Sequence, residues 1–138
     1  MTTVVYRDGV MACDSQSTGS YHERVRKIVR LSDGTMVGAC GRTQRCQAVM
    51  DWLVADCDGK CPPMSGVGLL IAKPDGSIWC ADDDFRPYRL RQKFAAIGSG
   101  SAVAIGAMEA GASALQAVKI AAKHDGGTSA PFKTLQLK

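Results

Sequence analysis

Three turns that end in Asp-Gly, each between two short β-prone runs, constrain the fold of this chain more than any other feature. The turns end at Asp8-Gly9 between residues 4–6 and 10–13, at Asp33-Gly34 between 27–31 and 35–40, and at Asp75-Gly76 between 67–72 and 77–81. Asp-Gly favours tight hairpin turns, because glycine adopts positive φ without strain and aspartate tolerates it. The sequence therefore predicts antiparallel sheets assembled from hairpins.

Helical periodicity separates these hairpins and returns after them. Between residues 42 and 56 apolar side chains recur at helical spacing, at Cys46, Val49, Met50, Leu53 and Val54. Alanine-rich segments at 102–110 and 113–123 predict two more helices, and Ser113 is a good N-cap. With further strands at 94–97 and 132–137, the order is ββββ-α-βββ-αα-β. Strands and helices grouped in runs predict an α+β layered fold, here one domain spanning residues 1–138.

Composition narrows the setting in which the chain works. The 138 residues carry a net charge of +4, and 46% of them are hydrophobic. No apolar run approaches the ~20 residues of a membrane helix, and the N-terminus lacks a signal-peptide pattern. We therefore expect a cytoplasmic protein that does not bind membranes.

Two features of the sequence resemble parts of a zinc site and of a nucleic-acid-binding surface, but both patterns are incomplete. Cys57 and Cys61 are spaced like half of a zinc site, but neither His22 nor His124 lies near them, so we expect no metal or other cofactor. Basic clusters at 24–30 and 86–93 lack interleaved aromatic residues, and three aspartates precede the second cluster. We therefore expect no nucleic-acid partner.

The start of the chain, Met1-Thr2-Thr3, carries a possible nucleophile. Removal of Met1 would leave Thr2 with its hydroxyl and a free α-amine on one residue, at the head of an apolar strand. Such an amine titrates at about pH 8 and can take the hydroxyl proton. Alternatively, Thr2 is only a β-branched residue that begins a strand.

Five short motifs resemble the proteasome β-subunit family of N-terminal nucleophile hydrolases, and most closely its bacterial HslV-type peptidases. They occur in family order and span nearly the whole chain. They are Thr-Thr-Val-Val at 2–5, Met-Ala-Cys-Asp-Ser-Gln-Ser-Thr at 11–18, Arg-Lys-Ile-Val-Arg-Leu at 26–31, Val-Gly-Ala-Cys-Gly at 37–41 and Ala-Ile-Gly-Ser-Gly-Ser at 96–101. The resemblance implies a four-layer αββα sandwich of two antiparallel sheets flanked by helices.

The resemblance also implies a role for each matching residue. Thr2 is the nucleophile, Lys27 the buried lysine that lowers the pKa of its amine, and Asp14 the carboxylate that pairs with Lys27. Gly38 matches the glycine whose N–H is the oxyanion donor, and Ser99 the serine that hydrogen-bonds the terminal amine. The remaining matches are Asp125 and Thr128, in place of an Asp-x-x-Ser pair that completes the hydrogen bonds around that amine.

By the same resemblance, the protein is a threonine endopeptidase that forms an acyl-enzyme on Thr2 after loss of Met1. A homo-oligomeric ring or double ring, polypeptide substrates and an ATP-dependent unfoldase partner follow from it. Residues 56–65 replace a longer helical stretch of HslV-type peptidases, so the oligomer can differ. Two alternatives are a non-catalytic assembly subunit and an amidase acting on small amides. Arg42 and Gln44 are candidates for lining a substrate pocket.

Overall fold

The computed structural model describes residues 2–17, 23, 24 and 26–137, and only the backbone of residues 16, 17, 23 and 24. The expectations that involve Met1, Thr18 and His22 lie outside these residues. The strands are β1 Thr3–Arg7, β2 Val10–Cys13, β3 Gln16–Ser17, β4 Glu23–Arg24, β5 Ile28–Arg30, β6 Met36–Gly41, β7 Val67–Ala72, β8 Ile78–Asp82, β9 Tyr88–Leu90, β10 Phe94–Gly98 and β11 Lys133–Gln136. The helices are α1 Thr43–Val54, α2 Ser101–Glu109 and α3 Ala114–His124.

Sheet I contains four antiparallel strands in the order β10-β1-β2-β11. The predicted first hairpin joins β1 to β2, and its turn residues Asp8 and Gly9 have φ values of +51° and +81°. Both positive values are those of a type I′ turn, whose twist matches that of the strands. The last strand in sequence, β11, returns to this sheet and pairs with β2.

Sheet II contains five antiparallel strands in the order β5-β6-β7-β8-β9. It includes the other two predicted hairpins, β5–β6 and β7–β8. The structure adds two elements that the sequence did not predict, the small β3–β4 pair and the edge strand β9. All three strands are short. In β9, Tyr88 and Arg89 are exposed, so this strand lacks the alternating apolar pattern that predicts a strand.

Three clusters of buried side chains separate four layers. One cluster lies between α1 and sheet II, the second between the two sheets, and the third between sheet I and the α2–α3 pair. At the middle layer, a Cβ on Gly38 would lie 2.4 Å from Val4 Cγ1, so the sheets approach closely there. The predicted α+β architecture, two antiparallel sheets flanked by helices, is confirmed.

The helices differ only at their ends from those predicted. Ser113 caps α3 with a complete capping box, in which its hydroxyl accepts the N–H of Gln116 at 3.2 Å. In α1 the expected buried face is present except at Val54, which is 47% exposed because the helix ends there. In the described part of the chain, none of the three helices has the length and apolarity that crossing a bilayer requires.

Candidate active site

Thr2 lies just before β1 and is only 7% exposed. The next residue, Thr3, pairs with Gly98 of β10. Gly98 has a φ of +96°, and a Cβ at this position would lie 1.8 Å from the carbonyl oxygen of Thr2. Only glycine allows so close an approach, which fixes the main chain of Thr2 against the end of β10.

Lys27 and Asp14 form a buried ion pair next to these first residues. Lys27 Nζ donates to Asp14 Oδ1 at 2.9 Å, and the two side chains are 4% and 0% exposed. The same oxygen accepts the N–H of Thr3 at 3.1 Å, while Oδ2 accepts the N–H of Ser129 at 3.2 Å. Losing one partner of a buried pair costs about 3–5 kcal/mol, so each ion requires the other. One carboxylate oxygen thus joins a positive charge to the main chain beside Thr2.

Asp125 lies near Thr2 and accepts hydrogen bonds from two hydroxyl groups. Ser99 Oγ donates to Asp125 Oδ2 at 2.5 Å, and Thr128 Oγ1 donates to the same oxygen at 2.6 Å. Ser99 Oγ is also 3.5 Å from the carbonyl oxygen of Thr2. The bond from Ser99, and after it the bond from Thr128, lower the pKa of Asp125. The carboxylate is therefore ionised at neutral pH.

The hydrogen-bond chain continues from Thr128 to Thr3. Their hydroxyl oxygens are 2.7 Å apart, and because Thr128 donates to Asp125, Thr3 donates to Thr128. Thr3 Oγ1 in turn accepts the N–H of Gly100 at 3.1 Å. The Thr3 side chain is fully buried. The hydroxyl of Thr3 is thus fully engaged inside the protein.

An open pocket of about 470 Å³ adjoins Thr2. It is lined by Thr2, Cys40, Gly41, Arg42, Gly66, Gly98 and Ser99. Small residues thus surround the candidate nucleophile. Of the two residues named as pocket candidates, Arg42 lines this pocket and Gln44 does not.

The two glycines of the Val-Gly-Ala-Cys-Gly motif occupy different places. Gly38 lies inside β6, paired with Ile28 and Leu70, and faces Val4 between the sheets. Gly41 ends β6 and lines the pocket. Gly38 is therefore not among the residues that line the pocket, whereas Gly41 is.

The backbone at Gly41 is built for this position. Its φ is +116°, and a Cβ would lie 1.9 Å from the carbonyl oxygen of Gly66. Earlier in the strand, the N–H of Ala39 donates to the carbonyl of Lys27 at 2.9 Å. Because N–H groups alternate sides along a strand, the N–H of Gly41 points to the side on which Lys27 lies.

Cysteine and metal chemistry find no support in the described part of the chain. Burial, and after it the charge of Asp82, raise the pKa of the Cys40 thiol, so the cysteine in the pocket is protonated at neutral pH. Cys57 is exposed and Cys61 half-buried, and no group of three metal-ligating side chains occurs among the described residues.

The residues that sequence reasoning missed are Gly41, Gly66 and Cys40. A signal for Gly41 was present, since the motif at 37–41 contains two glycines, of which the sequence analysis assigned only Gly38. Which glycine ends the strand depends on the register of β6, which the sequence alone leaves open. Gly66 and Cys40 reach the pocket through the pairing of β6 with β7 and carry no signal of their own.

Structural comparison identifies proteins with this architecture. A structure of BPH from Thiobacillus denitrificans in complex with epoxomicin superposes with a TM-score of 0.72 at 23% identity, covering 99% of this chain and 98% of that one. HslV from Trypanosoma brucei superposes with a TM-score of 0.70 at 16% identity, covering 97% of each chain. No protein-family model and no curated protein sequence matches the chain.

Proposed function

From the HslV-type N-terminal nucleophile hydrolase fold of this chain, we propose that it is a threonine peptidase whose nucleophile is Thr2. The observation that carries the proposal is the position of Asp14 Oδ1, which binds both Lys27 Nζ and the N–H of Thr3. A buried ammonium is thereby held next to the residue that would become N-terminal when Met1 is removed. Burying an ion pair carries a desolvation penalty, and a threonine that only begins a strand does not require such a pair beside it.

The chemistry proceeds in two halves. The free amine of Thr2, directly or through a water, takes the proton of the Thr2 hydroxyl as Oγ1 attacks the peptide carbonyl. The tetrahedral intermediate collapses to an ester on Thr2, and the proton passes to the departing amine. Water then attacks the ester with the same amine as base, which releases the acid and regenerates the hydroxyl.

Two charges of opposite sign support the base. Lys27 lowers the pKa of the terminal amine and stabilises the developing alkoxide. Asp125, ionised and hydrogen-bonded to Ser99, can stabilise the amine once it has taken the proton. Thr128 orients this carboxylate, and its hydroxyl replaces the serine of the family pattern without loss of the donor.

Gly41 is the oxyanion donor in this proposal. Its N–H points to the Lys27 side of β6 and the residue lines the pocket beside Thr2. One such donor is worth roughly 2.7–4 kcal/mol of transition-state stabilisation.

The assembly expected for this function is a homo-oligomeric ring in the cytoplasm that receives polypeptides from an ATP-dependent unfoldase. The fold that the chain shares with HslV supports this part of the proposal. Native mass spectrometry of the purified chain tests it, because a ring gives one defined multiple of the subunit mass.

Intact-mass measurement before and after addition of a peptide epoxyketone tests the nucleophile. We expect the loss of one methionine and then an adduct that maps to Thr2, with no adduct on Thr2→Ala. Retained Met1 without an adduct would favour the non-catalytic assembly subunit. An adduct together with turnover of simple amides, but not of peptides, would favour the small-amide amidase.

A further inference from the structure

The pocket beside Thr2 contains one charged side chain. Six of its seven lining residues are glycine, serine, threonine or cysteine, and the seventh is Arg42. Because the small residues offer backbone and hydroxyl groups only, any charge preference of this pocket depends strongly on that guanidinium.

The base of the Arg42 side chain is held in place. Arg42 is the N-cap residue of α1, and its N–H donates to the carbonyl of Gly66 at 3.1 Å. Its Cγ, Cδ and Nε all lie 3.4 Å from the point where a Cβ of Gly66 would be, so the stem lies along Gly66. Arg42 as a whole is exposed and lines the pocket.

The Arg42 guanidinium lacks a counter-ion in the described part of the chain. The ion pairs among the described residues involve Arg7, Arg26, Lys27 and Arg86 as the cations, and none involves Arg42. The carboxylate of Asp83 lies nearby, with its Oδ1 accepting the N–H of Gly66 at 2.8 Å, and its negative charge opposes that of Arg42 without forming an ion pair with it.

Two further groups act on the potential in the pocket. The first turn of α1 contains no acidic residue, so the positive end of the helix adds to the charge of Arg42. Asp82 opposes it: its Oδ1 and the Cys40 Sγ lie 3.0 and 3.1 Å from the point where a Cβ of Gly68 would be. Asp82 is not among the residues that line the pocket.

We infer that Arg42 binds a carboxylate of the substrate, so that the peptidase prefers an acidic residue flanking the scissile bond. Arg42 follows Gly41 directly, so a peptide whose scissile carbonyl meets Gly41 brings a neighbouring side chain to the guanidinium. The fork of donors on arginine matches a carboxylate. This inference rests on the proposed function, because it places the scissile bond between Thr2 and Gly41.

The test uses the full chain with Met1 removed and internally quenched peptides that differ only at the residues flanking the scissile bond. We compare kcat/KM for Glu, Gln and Lys at these positions, in peptides amidated at the C-terminus. The wild type is expected to prefer Glu over Gln by about fivefold to tenfold, as for a charge-assisted bond at a partly exposed site. In Arg42→Gln this ratio falls to about one, and in Arg42→Glu it falls below one.

Arg45→Gln is the matched control. It removes an equal charge one helical turn after Arg42, and the Arg45 guanidinium donates to the carbonyl of Ser65. It is expected to keep the wild-type ratio. If Arg42→Gln fails to fold, Arg42→Lys keeps the charge without the fork and should give an intermediate ratio. A second peptide pair, ending in a free acid or an amide close to the scissile bond, distinguishes a side-chain carboxylate from a chain terminus.

The inference is overturned by a wild-type ratio of about one, by a ratio that Arg42→Gln or Arg42→Lys leaves unchanged, or by an equal loss in Arg45→Gln. A preference seen only for free-acid peptides overturns the side-chain assignment. If peptides are cleaved in a Thr2-dependent way but the Glu to Gln ratio of kcat/KM is about one, only this inference is overturned. If neither cleavage nor the epoxyketone adduct is seen, the proposed function is overturned as well.

Discussion

At the scale of single residues, Asp14 organises the site. Its two oxygens bind a side-chain ammonium and two main-chain N–H groups, from Lys27, Thr3 and Ser129. The charge of the carboxylate is balanced by Lys27, and its geometry is fixed by the backbone. Stability and, in the proposed mechanism, catalysis therefore depend on the same pair, and mutations must separate the two effects.

Lys27→Met is expected to destabilise the fold by about 3–5 kcal/mol, because it leaves the Asp14 charge buried without a counter-ion. The rate of epoxyketone adduct formation should fall at least about 100-fold, as for loss of a preorganised charge at a reacting oxygen. Urea unfolding and adduct kinetics measure the two effects.

The double variant Asp14→Asn with Lys27→Met separates them. It should recover most of the lost stability, since neither charge remains, but none of the reactivity. Lys119→Met, on the exposed face of α3, is the control and should change neither quantity. Recovered reactivity in the double variant would contradict the role given to Lys27.

Asp125 predicts a pH dependence of stability. Because the pKa of this carboxyl is lower in the folded state than in the unfolded chain, it stabilises the fold above about pH 4, the unfolded value. The contribution is lost as the pH falls through the folded pKa. The difference in Tm between wild type and Asp125→Asn should therefore be constant from pH 7 to about 5 and shrink below pH 4.

Asp58→Asn is the control for general electrostatics, because it removes one negative charge at an exposed position. Its Tm difference from the wild type should not show the decrease below pH 4. Ser99→Ala removes the main cause of the low pKa and should move the decrease to higher pH. A decrease that stays in place in Ser99→Ala would assign the shift to another group.

At the scale of elements, the ends of strands β6 and β10 form the pocket. Each ends in a glycine with positive φ, Gly41 and Gly98, and each glycine lies against a carbonyl oxygen. These contacts let two strands from different sheets end close to Thr2. The pocket is thus a product of strand termination rather than of a long loop.

Gly98→Ala is expected to displace Thr2, because the new Cβ would overlap its carbonyl oxygen and the φ of +96° is strained for alanine. Displacement of a nucleophile by about 1 Å can cost roughly 100-fold in rate. Adduct kinetics with an epoxyketone measure this loss. Gly106→Ala in α2, where no atom lies within 4 Å of the added Cβ, should instead raise stability by about 0.5–1 kcal/mol and leave the rate unchanged.

Elements with strong local signals were predicted from the sequence, and those that depend on pairing were not. The Asp-Gly turns fix three hairpins, and Ser113 with Gln116 fixes the start of α3. Strand β9 lies at the sheet edge with little apolar pattern, so only its pairing with β8 reveals it.

The site shows the same division. The motifs indicated Thr2, Asp14, Lys27, Ser99, Asp125 and Thr128, and the structure brings these residues together around the start of β1. Gly38 and Gly41 could not be separated by sequence, because the choice depends on where β6 stops pairing. Arg42 was a pocket candidate by its position after Gly41, whereas Gly66 lies just before β7, which pairs with β6.

At the scale of the whole molecule, the two sheets approach each other closely at one point within the cluster of buried side chains between them. Gly38 of sheet II faces Val4 of sheet I, and Val4 is two residues from Thr2. The spacing of the layers and the position of Thr2 are therefore coupled through β1.

Gly38→Ala is expected to destabilise the protein by about 1–3 kcal/mol, because the added methyl overpacks the layer between the sheets. Val4→Ala removes the methyl groups it would meet, so the double variant should be more stable than the sum of the single effects predicts. Val49→Ala, in the layer between α1 and sheet II, should be additive with Gly38→Ala. Additivity with Val4→Ala as well would contradict the close contact. Urea unfolding provides all of these values.

The buried hydroxyl of Thr3 makes the timing of N-terminal trimming decisive. Two threonines in succession look interchangeable, yet the alternation of the strand turns the second one inward, where Gly100 and Thr128 hold its oxygen. In the proposed mechanism, an aminopeptidase that removed Thr2 together with Met1 would leave Thr3 at the new terminus with its hydroxyl already bound inside the protein. The proposal therefore allows a single productive cut, and removal of one further residue would inactivate the peptidase.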